Sequence, residues 1–278
     1  MKAVLVTGAS TGIGRACALH LDRLGHRVYA GIRDEAQARE LQATGSGRIT
    51  PVLLDVTDQA MVDAAAGQIA GDSGKLDGLV NNAGVATGGP LEYLPLATWR
   101  EQFEVNVLGQ VAVTKAMLPM IRAAGGRIVF MGSISGKVAT MLLGPYCASK
   151  SALEAISESL RHELHPWGIS VSVVEPGAIK TAIWDKGRRT ADDLEQELPA
   201  EARAYYASHI AAVRKGIDMQ DRNGASPAKV ARAVEHALFS PRPRTRYPVG
   251  ADAKIQSAMA RWLPDRARET IIRKIAGP

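Results

Sequence analysis

A chain of 278 residues with 46% hydrophobic and 22% charged content matches an ordinary α/β domain in size and composition. No uninterrupted apolar run nears the roughly 20 residues of a membrane-spanning helix. With only Cys17 and Cys147 a disulfide framework is excluded.

The chain opens on an apolar run, Lys2–Val6, that reads as a first strand. It starts so early that no leader peptide is expected, and a cytoplasmic location is the simplest reading. Thr7-Gly-Ala-Ser-Thr-Gly-Ile-Gly14 follows, and then a helical apolar pattern over 15–24. Strand, glycine-rich turn and helix form the context of a dinucleotide-binding loop. Gly8 permits the tight turn, while Gly12 and Gly14 let a pyrophosphate and the sheet approach the backbone. The helix N-terminus offers free N–H groups to the phosphates.

Strand and helix then alternate: strands at 27–32, 49–54 and 76–80, and helices at 35–43 and 58–70. A long helix is expected from about 98 to 123, with Pro119 bending or shortening it. A fifth strand, Arg127–Met131, leads to Ser133, and a helix carrying Tyr146 runs to about His165. Tyr146 and Lys150 stand four residues apart, one helical turn, so they share a face. A cation close to a phenol favours the phenolate and moves its pKa from about 10 toward the working range. The same spacing often means only a shared solvated face. His162-Glu-Leu-His165 resembles a helical zinc motif, but its histidines stand at i and i+3 and no third ligand is evident, so no metal is implied.

Strand six spans 170–174. A polar insertion from 178 to 225, helical over about 190–216, reads as a substrate lid. Ser226-Pro227 starts the next helix, through Phe239, and 246–249 is the last of about seven strands. The whole of 1–278 reads as a single domain, a doubly wound parallel sheet with helices on both faces, ending in a basic helical extension over 250–278. Net charge is +6, and arginine is frequent from Arg242 onward. Asp252, Asp265 and Glu269 interleave with those arginines and no nucleic-acid module is recognisable, so no nucleic-acid partner is expected. A solvated or subunit-contacting surface is preferred. Peripheral membrane contact through Ile255, Met259, Trp262 and Leu263 is the subordinate reading.

The glycine loop and the Tyr146–Lys150 pair together resemble the short-chain dehydrogenase/reductase family. Asn81-Asn-Ala-Gly84 follows the fourth strand, Ser133 precedes Tyr146 by thirteen positions, and Pro176-Gly177 with Thr181 makes a Pro-Gly-x-x-x-Thr element. These matches run in order from Val4 to Thr181. The resemblance implies an oxidoreductase moving a hydride between a nicotinamide nucleotide and a carbonyl or alcohol. Tyr146 would be the general acid/base, Ser133 would hold the substrate oxygen, and Lys150 would lower the Tyr146 pKa and bind the nicotinamide ribose. Asn106 would anchor a water in a proton relay.

The cofactor would lie on Gly8, Ser10, Thr11, Gly12, Ile13 and Gly14, on Asp55 and Val56, on Asn82, Ala83 and Gly84, and on Pro176, Gly177, Ile179 and Thr181. Gly31 stands where an NAD site places its ribose-binding acid, and Arg33 follows, suited to a 2′-phosphate with help from Ser10. NADP(H) is therefore favoured over NAD(H), with Asp34 the competing ribose ligand. Val138, Met141, Leu142 and Leu143 suggest an apolar substrate wall and a lipophilic ketone, aldehyde or alcohol, of the steroid- and retinoid-processing branch. A more polar keto substrate, or a nucleotide sensor without useful turnover, are the alternatives. A homodimer or homotetramer is implied.

Overall fold

Short runs rich in valine and isoleucine assemble one parallel sheet whose strands are apolar on both faces, as a sheet covered by helices on both sides requires. The computed structural model describes residues 1–181, 192, 195, 196 and 198–276. Its strands are β1 (Ala3–Thr7), β2 (Arg27–Ile32), β3 (Ile49–Leu53), β4 (Gly78–Asn81), β5 (Arg127–Met131), β6 (Ser170–Pro176) and β7 (Arg246–Val249). Their order is β3-β2-β1-β4-β5-β6-β7, and every pairing is parallel. The expected doubly wound sheet is thus present. Its winding reverses between β1 and β4, where ligands of such sheets bind, beyond the strands' carboxyl ends.

Alternation along β1 divides the core. Val4 and Val6 pack with Cys17, Leu21, Val230 and Val234 of helices α1 (Gly12–Arg23) and α8 (Pro227–Phe239). Ala3 and Leu5 face the opposite layer, with Ile69, Met117 and Leu153 of α3 (Gln59–Ser73), α5 (Gly109–Ala124) and α6 (Gly144–Leu164). Both cysteines are buried and free. Helix α2 (Glu35–Thr44) covers the β2 and β3 side through Leu41.

The long helix expected over 98–123 is two helices. α4 (Leu96–Phe103) passes into a π-helical turn, Glu104–Leu108, before α5 begins. Pro119 lies inside α5 without ending it. The break falls instead at Asn106, whose side chain reaches across to the backbone of Val85, donating to its carbonyl at 2.9 Å and accepting from its N–H at 2.8 Å. Single π turns inside α-helices are frequently found at functional sites.

The helix expected over 190–216 is found as α7 (Ala200–Asn223), and the expected segment's first residues fall largely outside those described. Pro199 sets the start, because its fixed φ suits the residue ahead of a first turn and its missing N–H costs nothing there. The C-terminal region forms α9 (Ala251–Trp262) and α10 (Asp265–Ala276). Ile255 and Trp262 are exposed, and the Arg261 guanidinium lies 5.2 Å over the Trp262 ring. Among the described residues no helix is long and apolar enough to cross a membrane.

Candidate active site

The glycine loop leaves β1 where the winding reverses. Gly8 (φ +62°) and Gly12 (φ +56°) adopt left-handed backbone that a side chain would strain. Gly14 is required by space: a Cβ there would run into the Gly8 carbonyl oxygen and come within 2.5 Å of Asn82 Nδ2. That amide donates to the carbonyls of Thr7 at 2.9 Å and Gly8 at 3.2 Å. Thr7 Oγ1 accepts from the backbone N–H of Asn82 and Ala83. Asn82 and Ala83 therefore fix the loop's shape from the end of β4.

Thr11 stands at the N-cap of α1 without a side-chain cap hydrogen bond, and the first turn carries no acidic residue. The leading N–H groups and the positive end of the dipole remain available to an anion. Thr181 closes over this cradle, its methyl 3.5 Å from where a Gly12 Cβ would stand. The residues present fit the pyrophosphate of a dinucleotide, with Ser10 and Ile13 in the same loop.

Three residues gather where β2 and β3 end. Arg33 is largely exposed, its Nη1 3.8 Å from Asp55 Oδ2. Desolvation works to raise the Asp55 carboxyl, but hydrogen bonds from Thr57 and the Arg33 charge outweigh it and hold it below its ordinary value. Asp34 caps α2, accepting the Ala36 N–H at 2.6 Å. Gly31 is crowded: a Cβ would meet Leu54 Cδ2 at 3.1 Å and Thr7 Cα at 3.3 Å. Val56 is buried against Gly109 at the start of α5.

The four expected catalytic residues converge from β5, α6 and the π turn. Ser133 caps the 3-10 turn Ile134–Gly136, accepting the Ser135 N–H at 3.1 Å, so the capping role and proximity to Tyr146 coexist. Tyr146 is half-buried in the first turn of α6. Desolvation pushes its phenol above the usual pKa of 10, while a hydrogen bond with Ser133 pulls the other way.

Lys150 is 4% exposed, and its Nζ donates to the Met131 carbonyl at 2.8 Å and lies 5.6 Å from the Tyr146 ring centroid. Burial lowers its ammonium from 10.5 to about 8. In this geometry desolvation raises the phenol, while the Lys150 ammonium donates to the Met131 carbonyl. Asn106 donates to Ser149 Oγ at 3.1 Å as well as bonding Val85, so both of its amide N–H donors are used. A Cβ on Gly84 would stand 3.1 Å from Asn106 Oδ1 and 3.7 Å from Lys150 Nζ, so these three residues meet.

The Pro176–Gly177 turn is held by a residue the motif reading missed. Asp252 of α9 accepts the Ala178 N–H at 2.7 Å, and a Cβ on Gly177 would strike its carboxylate. Seventy-four residues separate the two, and only three-dimensional packing reveals them. Ile179 is buried and bridges to Ala225, bringing the ends of the 178–225 insertion together.

Val138 is buried, whereas Met141, Leu142 and Leu143 are half-buried. Leu142 has φ +60°, which costs a non-glycine residue on the order of 1–3 kcal/mol. Its carbonyl accepts the Gly89 N–H at 2.7 Å, so a second missed stretch, Gly88–Gly89, faces this wall. His162 and His165 close α6, and among the described residues no group of three metal-ligating side chains occurs.

A protein-family model described as short chain dehydrogenase matches residues 2–192. Retinol dehydrogenase 5 of Homo sapiens is 39% identical over 272 residues, covering 94% of this chain and 84% of the relative. Mitochondrial D-beta-hydroxybutyrate dehydrogenase of Bos taurus is 39% identical over 267 residues, covering 88% and 76%. Among solved structures, a short-chain dehydrogenase from Streptomyces avermitilis superposes with a TM-score of 0.78 at 30% identity, covering 99% of this chain and 97% of that one.

Proposed function

The chain belongs to the short chain dehydrogenase family, and from that premise we propose that it moves a hydride between NADP(H) and a lipophilic secondary or primary alcohol, or the matching carbonyl, with Tyr146 as general acid/base. It is an oxidoreductase acting on CH–OH groups, and structures of this fold bind nicotinamide nucleotides. The observation that carries the catalytic reading is the convergence of Ser133, Tyr146, Lys150 and Asn106 beside a glycine cradle open to phosphate.

The bound nucleotide supplies or accepts the hydride. In reduction Tyr146 gives its phenolic proton to the substrate oxygen, and in oxidation it takes that proton back. The Ser133 hydroxyl donates to the same oxygen as charge develops there. Lys150 holds the ribose hydroxyls and, once drawn from the Met131 carbonyl toward them, lowers the phenol's pKa. Asn106 anchors the relay water that returns protons from solvent to Lys150.

Three observations support NADP(H). Gly31 has little room for an acidic side chain, Asp34 is engaged as the cap of α2, and Arg33 stands largely exposed where a 2′-phosphate would lie. Segment 178–225 is proposed as the lid, supported by its joined ends and by the Tyr206 hydroxyl of α7 donating to Glu92 at 2.9 Å. The half-buried Met141–Leu143 wall and the retinol dehydrogenase relative support a lipophilic substrate. The hydroxybutyrate dehydrogenase relative supports a second reading, a small polar 3-hydroxy acid.

Nicotinamide absorbance with NADP⁺ and NAD⁺ against retinol, hydroxysteroids and 3-hydroxybutyrate separates these readings. Fastest turnover of retinol or a hydroxysteroid with NADP⁺ is expected. Preference for hydroxybutyrate overturns the lipophilic assignment, and binding of nucleotide without turnover of any substrate favours a sensor.

A further inference from the structure

Behind the catalytic residues lies a charge cluster, centred on one buried carboxylate, that the chemistry above does not use. Glu175 is the one charged residue of β6 and has no solvent exposure at all. Stripping water from a carboxylate costs several kcal/mol unless a partner compensates it. Lys137 Nζ lies 2.6 Å from Glu175 Oε1, and Arg246 Nε of β7 lies 3.7 Å from the same oxygen. Arg246 also bonds Glu154 Oε2 at 2.8 Å and Glu158 Oε2 at 3.2 Å, both on α6. Glu154 Oε1 and both carboxylate oxygens of Glu175 are buried with no hydrogen-bond partner among the described residues, so Lys137 meets Glu175 as an ion contact. Desolvation pushes the Glu175 carboxyl up to about 7; Lys137 opposes this and neighbouring Glu154 adds to it.

The elements joined here are those that hold the reacting groups. Lys137 ends the 3-10 turn that Ser133 begins. Glu175 immediately precedes Pro176–Gly177, and Glu154 follows Lys150 by one turn of α6. Gly132 has no space for a side chain: a Cβ would come within 2.6 Å of Val173 Cγ1 and 3.2 Å of the Val174 carbonyl. The strand bearing Glu175 is thus packed directly against the peptide bearing Ser133. A buried ion pair is seldom more stabilising than well-packed apolar residues of similar volume, so stability alone is a weak reason for it.

We propose that Glu175 and Lys137 are positioning residues whose ion contact sets the Ser133 turn against the Pro176–Gly177 turn, so that the Ser133 hydroxyl meets the substrate oxygen over the nicotinamide seat. This rests on the catalytic reading given above. Neither residue is among those assigned to substrate or nucleotide. Loss of the contact lets the two turns slide apart, and a misplacement of about 1 Å at a reacting group costs up to about a hundredfold in rate.

The test is steady-state kinetics and nucleotide titration on Lys137→Met, Glu175→Gln, their double variant and Lys137→Arg, with NADP⁺ and the best alcohol of the panel. Each neutral variant should lower kcat about tenfold or more and leave the nucleotide Kd within about twofold, the signature of an interaction realised only in the transition state. The double variant should be no worse than the worse single, and Lys137→Arg should recover most of the turnover. Wild-type kcat in both singles, or losses that multiply in the double, overturns the proposal. Should Glu175→Gln not fold, Lys137→Met against Lys137→Arg still decides it, since Lys137 reaches solvent: equal turnover in those two also overturns it. Tyr146→Phe assayed alongside separates the two claims, because retained turnover there removes the catalytic reading, whereas an inert Tyr146→Phe with unaffected Lys137 and Glu175 variants removes only the positioning role.

Discussion

Lys150→Met should make the nucleotide-free protein more stable while removing its turnover. Burial lowers the Lys150 ammonium from 10.5 to about 8, so below pH 8 the folded state holds a charge that the unfolded chain would carry more cheaply. At about 1.4 kcal/mol per pH unit, this cost is on the order of 3 kcal/mol at pH 7. Methionine keeps the apolar stem but leaves the Met131 carbonyl without its 2.8 Å charged donor, which returns about 2 kcal/mol. The net gain is about 1 kcal/mol, or a rise in Tm of about 2 °C for a chain of this size.

The sign with pH is fixed. A lysine whose folded pKa is depressed contributes its full stability above the unfolded value, 10.5, and loses it as pH falls through the folded value, about 8. The advantage of the variant should accordingly be full below pH 8 and shrink between 8 and 10.5. Urea denaturation of both proteins at pH 7 and pH 9.5 measures it. A variant less stable than wild type at pH 7, or a difference that does not change with pH, refutes the reasoning.

Arg33→Ala should weaken NADPH about tenfold to a hundredfold, as expected for a charge-assisted contact, and leave NADH nearly unchanged; equal losses in a titration of both nucleotides contradict the 2′-phosphate role. Gly14→Ala, which forces a Cβ toward Asn82 Nδ2 and the Gly8 backbone, should cost about 1–3 kcal/mol in denaturation and about tenfold or more in nucleotide affinity. Wild-type values in both measurements would show that the loop relaxes freely.

Much of this architecture is legible along the chain because its signals are local. A run such as Arg127-Ile-Val-Phe-Met131 shows itself as a buried parallel strand, and the loop from Gly8 to Gly14 carries its steric requirement in its spacing. Tyr146 and Lys150 share a helix face by periodicity alone. What stays hidden depends on contacts between distant positions. The π turn at Asn106 is set by Val85, so a single unbroken helix is the natural but mistaken expectation, and Pro119 draws attention to the wrong place. The clamp from Asp252 on Ala178 spans seventy-four residues and carries no motif. Glu175 falls one residue beyond the strand read at 170–174, so its place as the lone acid of a buried strand shows only in the fold. The direction of the Tyr146 shift is hidden too, since it is set by how far the folded chain strips water from the phenol.

The central claim is that Tyr146 carries the proton. It is tested most directly by comparing Tyr146→Phe with wild type in nicotinamide absorbance turnover, with nucleotide Kd measured on the same preparations. The account predicts that turnover falls about a thousandfold or more, the general acid–base contribution lying in the range of about 10²–10⁴, while nucleotide affinity stays within about twofold. Turnover within about tenfold of wild type, at unchanged nucleotide affinity, would contradict it.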